Sequence, residues 1–131
     1  MADWTEAEVT TKVSPASVAD TVTRLTGLLS AKGLKVFAVI DQRAEASKAG
    51  LELRDTVLVV FGNPVAGTPV MAAAPLAALD LPLKVLVWDD DGQTSVSYYG
   101  PAALAERYGL GSDLQAKLAA IDPLTDALVA R

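Results

Sequence analysis

The stretch Thr56 to Pro64, TVLVVFGNP, constrains this chain more than any other. Val57 to Phe61 is unbroken apolar sequence, and the lack of polar alternation predicts a strand covered on both faces, central in its sheet. Proline supplies no ladder donor and pushes the residue before it toward extended geometry, so the strand stops at Gly62-Asn63-Pro64. Gly67-Thr68-Pro69 then reads as a helix start. Thr68 would cap it, with Pro69 at the first helical position, where a missing N–H costs nothing. Strand, loop and helix N-terminus are therefore expected to converge between Gly62 and Thr68.

On the N-terminal side, Val9, Thr11 and Val13 alternate with Thr10 and Lys12, the pattern of a half-buried strand, which Pro15 ends. Ser17-Val18-Ala19-Asp20 has the form of a capping box. Val18, Val22, Leu25 and Leu28 or Leu29 then recur at helical spacing, and Gly33 supplies a left-handed stop. Gly27 inside this helix costs about 1 kcal/mol relative to Ala and is read as close packing. Lys35 to Ile40 predicts a second strand, taken as buried, with Asp41 at its end and a short helix over 42–49 closed by Gly50.

On the C-terminal side, Pro75 would clash with the preceding turn, so the segment after Pro69 is expected as two short helical pieces or one kinked helix. Strands over 83–88 and 94–99 flank Asp89-Asp90-Asp91-Gly92-Gln93, a hairpin with Gly92 left-handed. Gly100-Pro101 opens a helix to Tyr108, with Gly109 and Gly111 as stops. Ser112 is expected to cap a last helix that Asp122-Pro123 interrupts.

This order fits one domain over 1–131. Two architectures accommodate it: a two-layer α+β sheet with its long helices on one face, or a doubly wound parallel α/β sheet. The late hairpin and the weak amphipathicity of the two middle helices favour the first.

Composition removes whole classes of function. A net charge of −5 without a local Lys and Arg cluster offers no field for nucleic acid. No Cys and no His are present, which excludes thiolate chemistry, a Ser-His-Asp triad and imidazole-bound metal. No cofactor and no metal are implied. Hydrophobic residues make up 51% of the chain, yet no run approaches the roughly 18 residues of a membrane span. The surplus predicts a large core plus a self-association surface, hence a homodimer and no membrane partner. Met1 to Glu6 lack a basic n-region and an apolar h-region, so a cytoplasmic location is expected.

The candidate sites each have a plainer account beside them. Gly62 to Gly67 has the spacing of a phosphate loop, but Thr68 stands in place of the lysine and Pro69 in place of the magnesium-binding hydroxyl. A weaker anion site at the helix start remains, as does a turn chosen for geometry alone. Asp41, with Arg43, Glu45 and Lys48 nearby, offers either acid–base chemistry or an N-cap for the Ala44 amide. Asp89 to Asp91 suggests calcium but lacks the spacing of a calcium loop, and a solvated hairpin turn accounts for it. Asn63, Thr68, Met71, Trp88, Tyr98 and Tyr99 could line an apolar pocket, or be core and dimer contacts.

GLKVFAVID (33–41), AGLELRDTVLVVFGNP (49–64), GTPVMAAAPLAALDLPLKVLVWDDDG (67–92) and SVSYYGPAALAERYGL (95–110) together resemble the domain of unknown function 302 family. That resemblance implies a compact α+β domain with a curved, largely antiparallel sheet similar to the TATA-binding-protein fold, commonly a homodimer, and no established reaction. The resulting expectation is a domain that binds a small apolar or anionic ligand without catalysis, at Gly62, Asn63, Gly67, Thr68 and Met71 with Asp41. The alternatives are a metal-free enzyme using Asp41 or Glu45 with Lys48, and a purely structural interaction module.

Overall fold

A computed structural model describes residues 8–131; the N-terminal residues from which a cytoplasmic location is expected lie outside them. The strands are β1 (Val9–Ser14), β2 (Lys35–Asp41), β3 (Thr56–Gly62), β4 (Leu83–Asp90) and β5 (Gln93–Tyr99). They form one 5-stranded antiparallel sheet in the order β1-β5-β4-β3-β2. The helices are α1 (Val18–Ala31), α2 (Gln42–Lys48), α3 (Pro64–Ala73), α4 (Pro101–Tyr108), α5 (Ser112–Ala116) and α6 (Ile121–Val129), with a 3-10 turn over Pro75–Leu79. The expected α+β architecture is therefore the observed one, and the parallel alternative is excluded by the register.

The helix layer lies on one face. Alternation along β3 sends Val57, Val59 and Phe61 inward, where they meet Val85 and Val87 of β4 and Val96 and Tyr98 of β5. Val18, Leu25 and Leu29 of α1 and Ile121, Leu124 and Leu128 of α6 close this core. Leu58 and Val60 point to the opposite face, beside Leu86 and Lys84. So the apolar run is not covered by helices on both faces, and β3 is an internal strand, with β4 in the middle of the order.

Local chemistry sets most of the boundaries. Ser17 accepts from the Asp20 amide to start α1, and Gly33 stops it at φ +69. Asp91 and Gly92 take positive φ values of 54 and 92, which lets Asp90 and Gln93 pair across a two-residue hairpin turn. Asp89 Oδ1 accepts from the Gly92 amide, so this carboxylate serves the turn. Gly109, at φ 64, ends α4.

Several local expectations are corrected. Asn63, not Thr68, caps α3: its Oδ1 accepts from the Val65 amide, and Pro64, not Pro69, takes the first helical position. Helix follows strand with no intervening loop, because the extended backbone that proline imposes on Asn63 is also the backbone an N-cap needs. Gly27 is exposed and a Cβ there would meet nothing within 4 Å, so close packing does not explain it. Pro123 sits in the first turn of α6, and the break falls at 117–120 instead. In β1 the inward residues are Thr10, Lys12 and Ser14, while Val13 is 50% exposed on the open face. That inversion is stable because Lys12 Nζ reaches Thr125 Oγ1 at 2.7 Å, the Asp122 carbonyl at 3.1 Å and the Asp126 carboxylate at 2.8 Å.

Candidate functional site

The corner where β3 passes into α3 is one wall of a cavity of about 220 Å³. Gly62, Asn63, Gly67, Thr68 and Met71 all line it. The placement follows from the fold: β3 delivers Gly62 at the end of the sheet, and the cap at Asn63 turns the chain so that one side of α3 faces back over Phe61. Leu81, Pro82 and Leu83, entering β4, form a second wall. The third comes from Lys117, Leu118, Ala120, Ile121 and Leu124 at the α5–α6 break and along α6.

Floor and mouth differ in character. Phe61, Leu118, Ile121 and Leu124 are at most 3% exposed and make an apolar floor. Asn63, Thr68 and Lys117 are exposed and stand at the mouth. Phe37 joins them from β2, where the register shift between Val36 and Ala38 marks a bulge at Phe37, the kind of device that re-aims a side chain. Gly62 keeps this corner open. A Cβ there would lie 3.4 Å from Pro82 Cβ and 3.6 Å from Phe37 Cε2, occupying space the cavity now holds.

The start of α3 offers no amide cradle for an anion. Pro64 has no N–H, Val65 donates to Asn63 Oδ1, and Ala66 and Gly67 donate to the Asn63 carbonyl at 3.0 and 2.9 Å. A phosphate-type reading of Gly62 to Gly67 thus loses the groups it would rely on. Lys117 is the one ionisable residue lining the cavity, and among the described residues its ammonium has no hydrogen-bond or ion-pair partner.

Asp41 does not line this cavity. β2 is an edge strand rather than a buried one, and Asp41 at its end is exposed, with Oδ1 accepting from the Ala44 amide at 2.9 Å as the N-cap of α2. Arg43 is committed to Asp55 at 3.0 Å, and Lys48 lies 3.5 Å from Glu45. All four of those side chains are largely exposed.

The hairpin aromatics are also elsewhere. Trp88 is on the open face, donating Nε1–H to Ser97 Oγ at 2.9 Å, and the Ser97 hydroxyl shares a 2.8 Å hydrogen bond with Thr11. Tyr98 faces the helices and donates to Asp122, whereas Tyr99, 39% exposed, lies across from Val9. Residues from the 117–120 break, from α6 and from β2 were missed by the sequence reading, because nothing local in 117–124 shows which strand end those residues will cover.

Comparison with known proteins places this geometry in a wider set. The family model described as the domain of unknown function DUF302 matches residues 9–128. Proteins named fluoride-specific ion channel FluC 1 from Brucella suis and from Brucella abortus are each 38% identical over 112 residues. Those matches take in 85% of this chain but only 44% and 42% of the relatives, so the chain spans less than half their length. The crystal structure of an uncharacterized conserved DUF302 protein from Bacillus stearothermophilus superposes with a TM-score of 0.78 at 21% identity, covering 93% of this chain and 95% of that one. At that identity the likeness concerns the fold.

Proposed function

The chain belongs to the family of the domain of unknown function DUF302, and on that premise we propose that it is a binding domain that takes a small, mainly apolar ligand without transforming it. One observation carries the reading: four segments far apart in sequence converge on a single concavity with an apolar floor and a few polar groups at its mouth, the usual build of a small-molecule site. The lining contains one lysine and no carboxylate, a set suited to holding a ligand rather than to paired acid–base work. At about 220 Å³, against roughly 30 Å³ per liquid water, the space suits a short chain or a single ring.

The test is a thermal-shift and native mass-spectrometry screen of small apolar compounds against the purified protein. A ligand held at about 100 times its Kd stabilises the folded state by about 2.7 kcal/mol and raises Tm accordingly. A hit whose effect disappears when Gly67→Leu fills the cavity supports the reading. A screen with no hits, or hits indifferent to Gly67→Leu, defeats it.

We assign the open sheet face to a second copy of this chain. The register brings Leu58 beside Leu86 and Ile40 beside Leu58, with Thr11 and Ser97 toward the β1 edge, which is the apolar centre and polar margin of a protein interface. Sedimentation should show a dimer that Leu58→Asp converts to a monomer. The name of the Brucella relatives does not carry fluoride conduction to this domain. Among the described residues no helix is long and apolar enough to cross a membrane, so we assign fluoride passage in those proteins to the part of their length outside the match.

A further inference from the structure

We infer that the ligand is a monoanionic amphiphile, an apolar body carrying one carboxylate or similar acidic group, with Lys117 receiving the charge. The inference rests on the proposed binding role of the same cavity and adds the chemical class of its occupant.

Three features of the mouth point this way. First, the walls are sorted by chemistry: the residues least exposed are Phe61, Leu118, Ile121 and Leu124, which would hold only an apolar group. Second, the polar groups at the mouth that remain able to interact favour an anion. Asn63 spends Oδ1 on the Val65 amide, leaving its Nδ2 hydrogens as donors, and no carboxylate lines the cavity to repel a negative charge. Third, Lys117 is unpaired among the described residues in a chain that carries 16 acidic side chains against 11 basic ones. A cation left without a partner beside an apolar opening leaves a place for an anion supplied from outside.

The position of Lys117 in the fold makes this a matter of geometry as well as charge. It follows α5 directly, at the start of the break before α6. Its aliphatic stem can lie along the apolar wall while the ammonium stays in water at the rim, the ordinary disposition of an exposed lysine beside apolar surface. An occupant entering tail first would then end with its head group beside that ammonium. With the α3 amides already taken, the charge has no competing cradle at this mouth.

Octanoate, octanol and octylamine, which share a tail and differ in charge, provide the test, with binding measured by calorimetry and by NMR shifts of the Met71 methyl. Octanoate should bind about two- to fivefold more tightly than octanol, the range for an ion pair at an exposed rim, and octylamine more weakly than either. Lys117→Gln should bring octanoate down to the affinity that octanol shows on the same variant. Equal binding of octanoate and octanol, or indifference of octanoate to Lys117→Gln, overturns the inference and leaves the cavity reading standing. Failure of all three to bind, or binding that survives Gly67→Leu, overturns both together.

Discussion

The hydroxyl of Tyr98, on the helix-facing side of β5, donates to Oδ1 of Asp122 at 2.5 Å and thereby ties α6 to the sheet. Lys12 reaches the same place from the edge strand β1, donating to Thr125 Oγ1, which in turn donates to the Ile121 carbonyl at 2.8 Å. These contacts matter for the cavity because α6 supplies Ile121 and Leu124 to its floor. A polar clasp at one edge of the core thus holds an apolar wall at the far end.

Removing the Tyr98 hydroxyl should loosen that clasp. Tyr98→Phe deletes a hydrogen bond to a carboxylate, and because Asp122 is only half-buried it recovers part of the loss from water. The expected cost is about 1 to 2 kcal/mol, read as a lower urea midpoint at unchanged m-value. A Tyr98→Phe protein as stable as the parent would show that the hydroxyl contributes nothing net.

The same group predicts how stability changes in alkali. Burial alone would lower the Lys12 pKa, but the Asp126 carboxylate and the Tyr98 hydroxyl outweigh it and leave the pKa above the usual 10.5. Burial, then the hydrogen bond to Asp122, raises Tyr98 above 10.0, and Tyr108 is raised by burial and by Asp80. Each group binds its proton more tightly folded than unfolded. Their contribution is therefore complete below the unfolded pKa values and is lost as pH rises through the folded ones. Melting temperatures followed from about pH 9 upward should fall, and Lys12→Met combined with Tyr98→Phe should flatten the slope.

Gly27→Ala should stabilise the protein by about 0.5 to 1 kcal/mol. The residue is in the middle of α1, exposed, with open space where the new methyl would sit. The gain comes from restricting the unfolded chain and favouring helix, so it should appear as a shift of the denaturation midpoint. Destabilisation by the methyl would mean that another surface packs on α1 in solution.

Asp41→Ala should cost about 1 kcal/mol of stability, the value of a lost N-cap, while leaving ligand binding in the cavity untouched. Parallel thermal melts and octanoate titrations separate the two effects. Binding that weakens along with stability would place Asp41 in the site after all.

How much of this was readable beforehand depends on the range of the forces involved. The end of β3 at Gly62, the hairpin turn at Asp91-Gly92 and the stops at Gly33, Gly50 and Gly109 follow from backbone preferences of one or two residues, so they are visible in the chain itself. The helix start was displaced from Thr68 to Asn63 because two adjacent Asx/Thr-Pro signals compete, and the nearer one is reached first as the strand ends. Burial of β1 was harder to read, since its valines face outward while Lys12 turns in to meet partners more than a hundred residues away.

The sequence alone marked the strand–helix order, an α+β class favoured over a parallel sheet, and five of the residues that border the cavity, Gly62, Asn63, Gly67, Thr68 and Met71. It could do so because periodicity, proline and glycine act over a few neighbouring residues. Only the tertiary structure decided that Asp41 stands apart, that Phe37, Lys117, Ile121 and Leu124 line the same cavity as the β3–α3 corner, and that Trp88 and Tyr98 lie on opposite faces of the sheet. Those facts depend on which helix covers which strand end, and that is settled by packing between segments with no local sequence relation to one another.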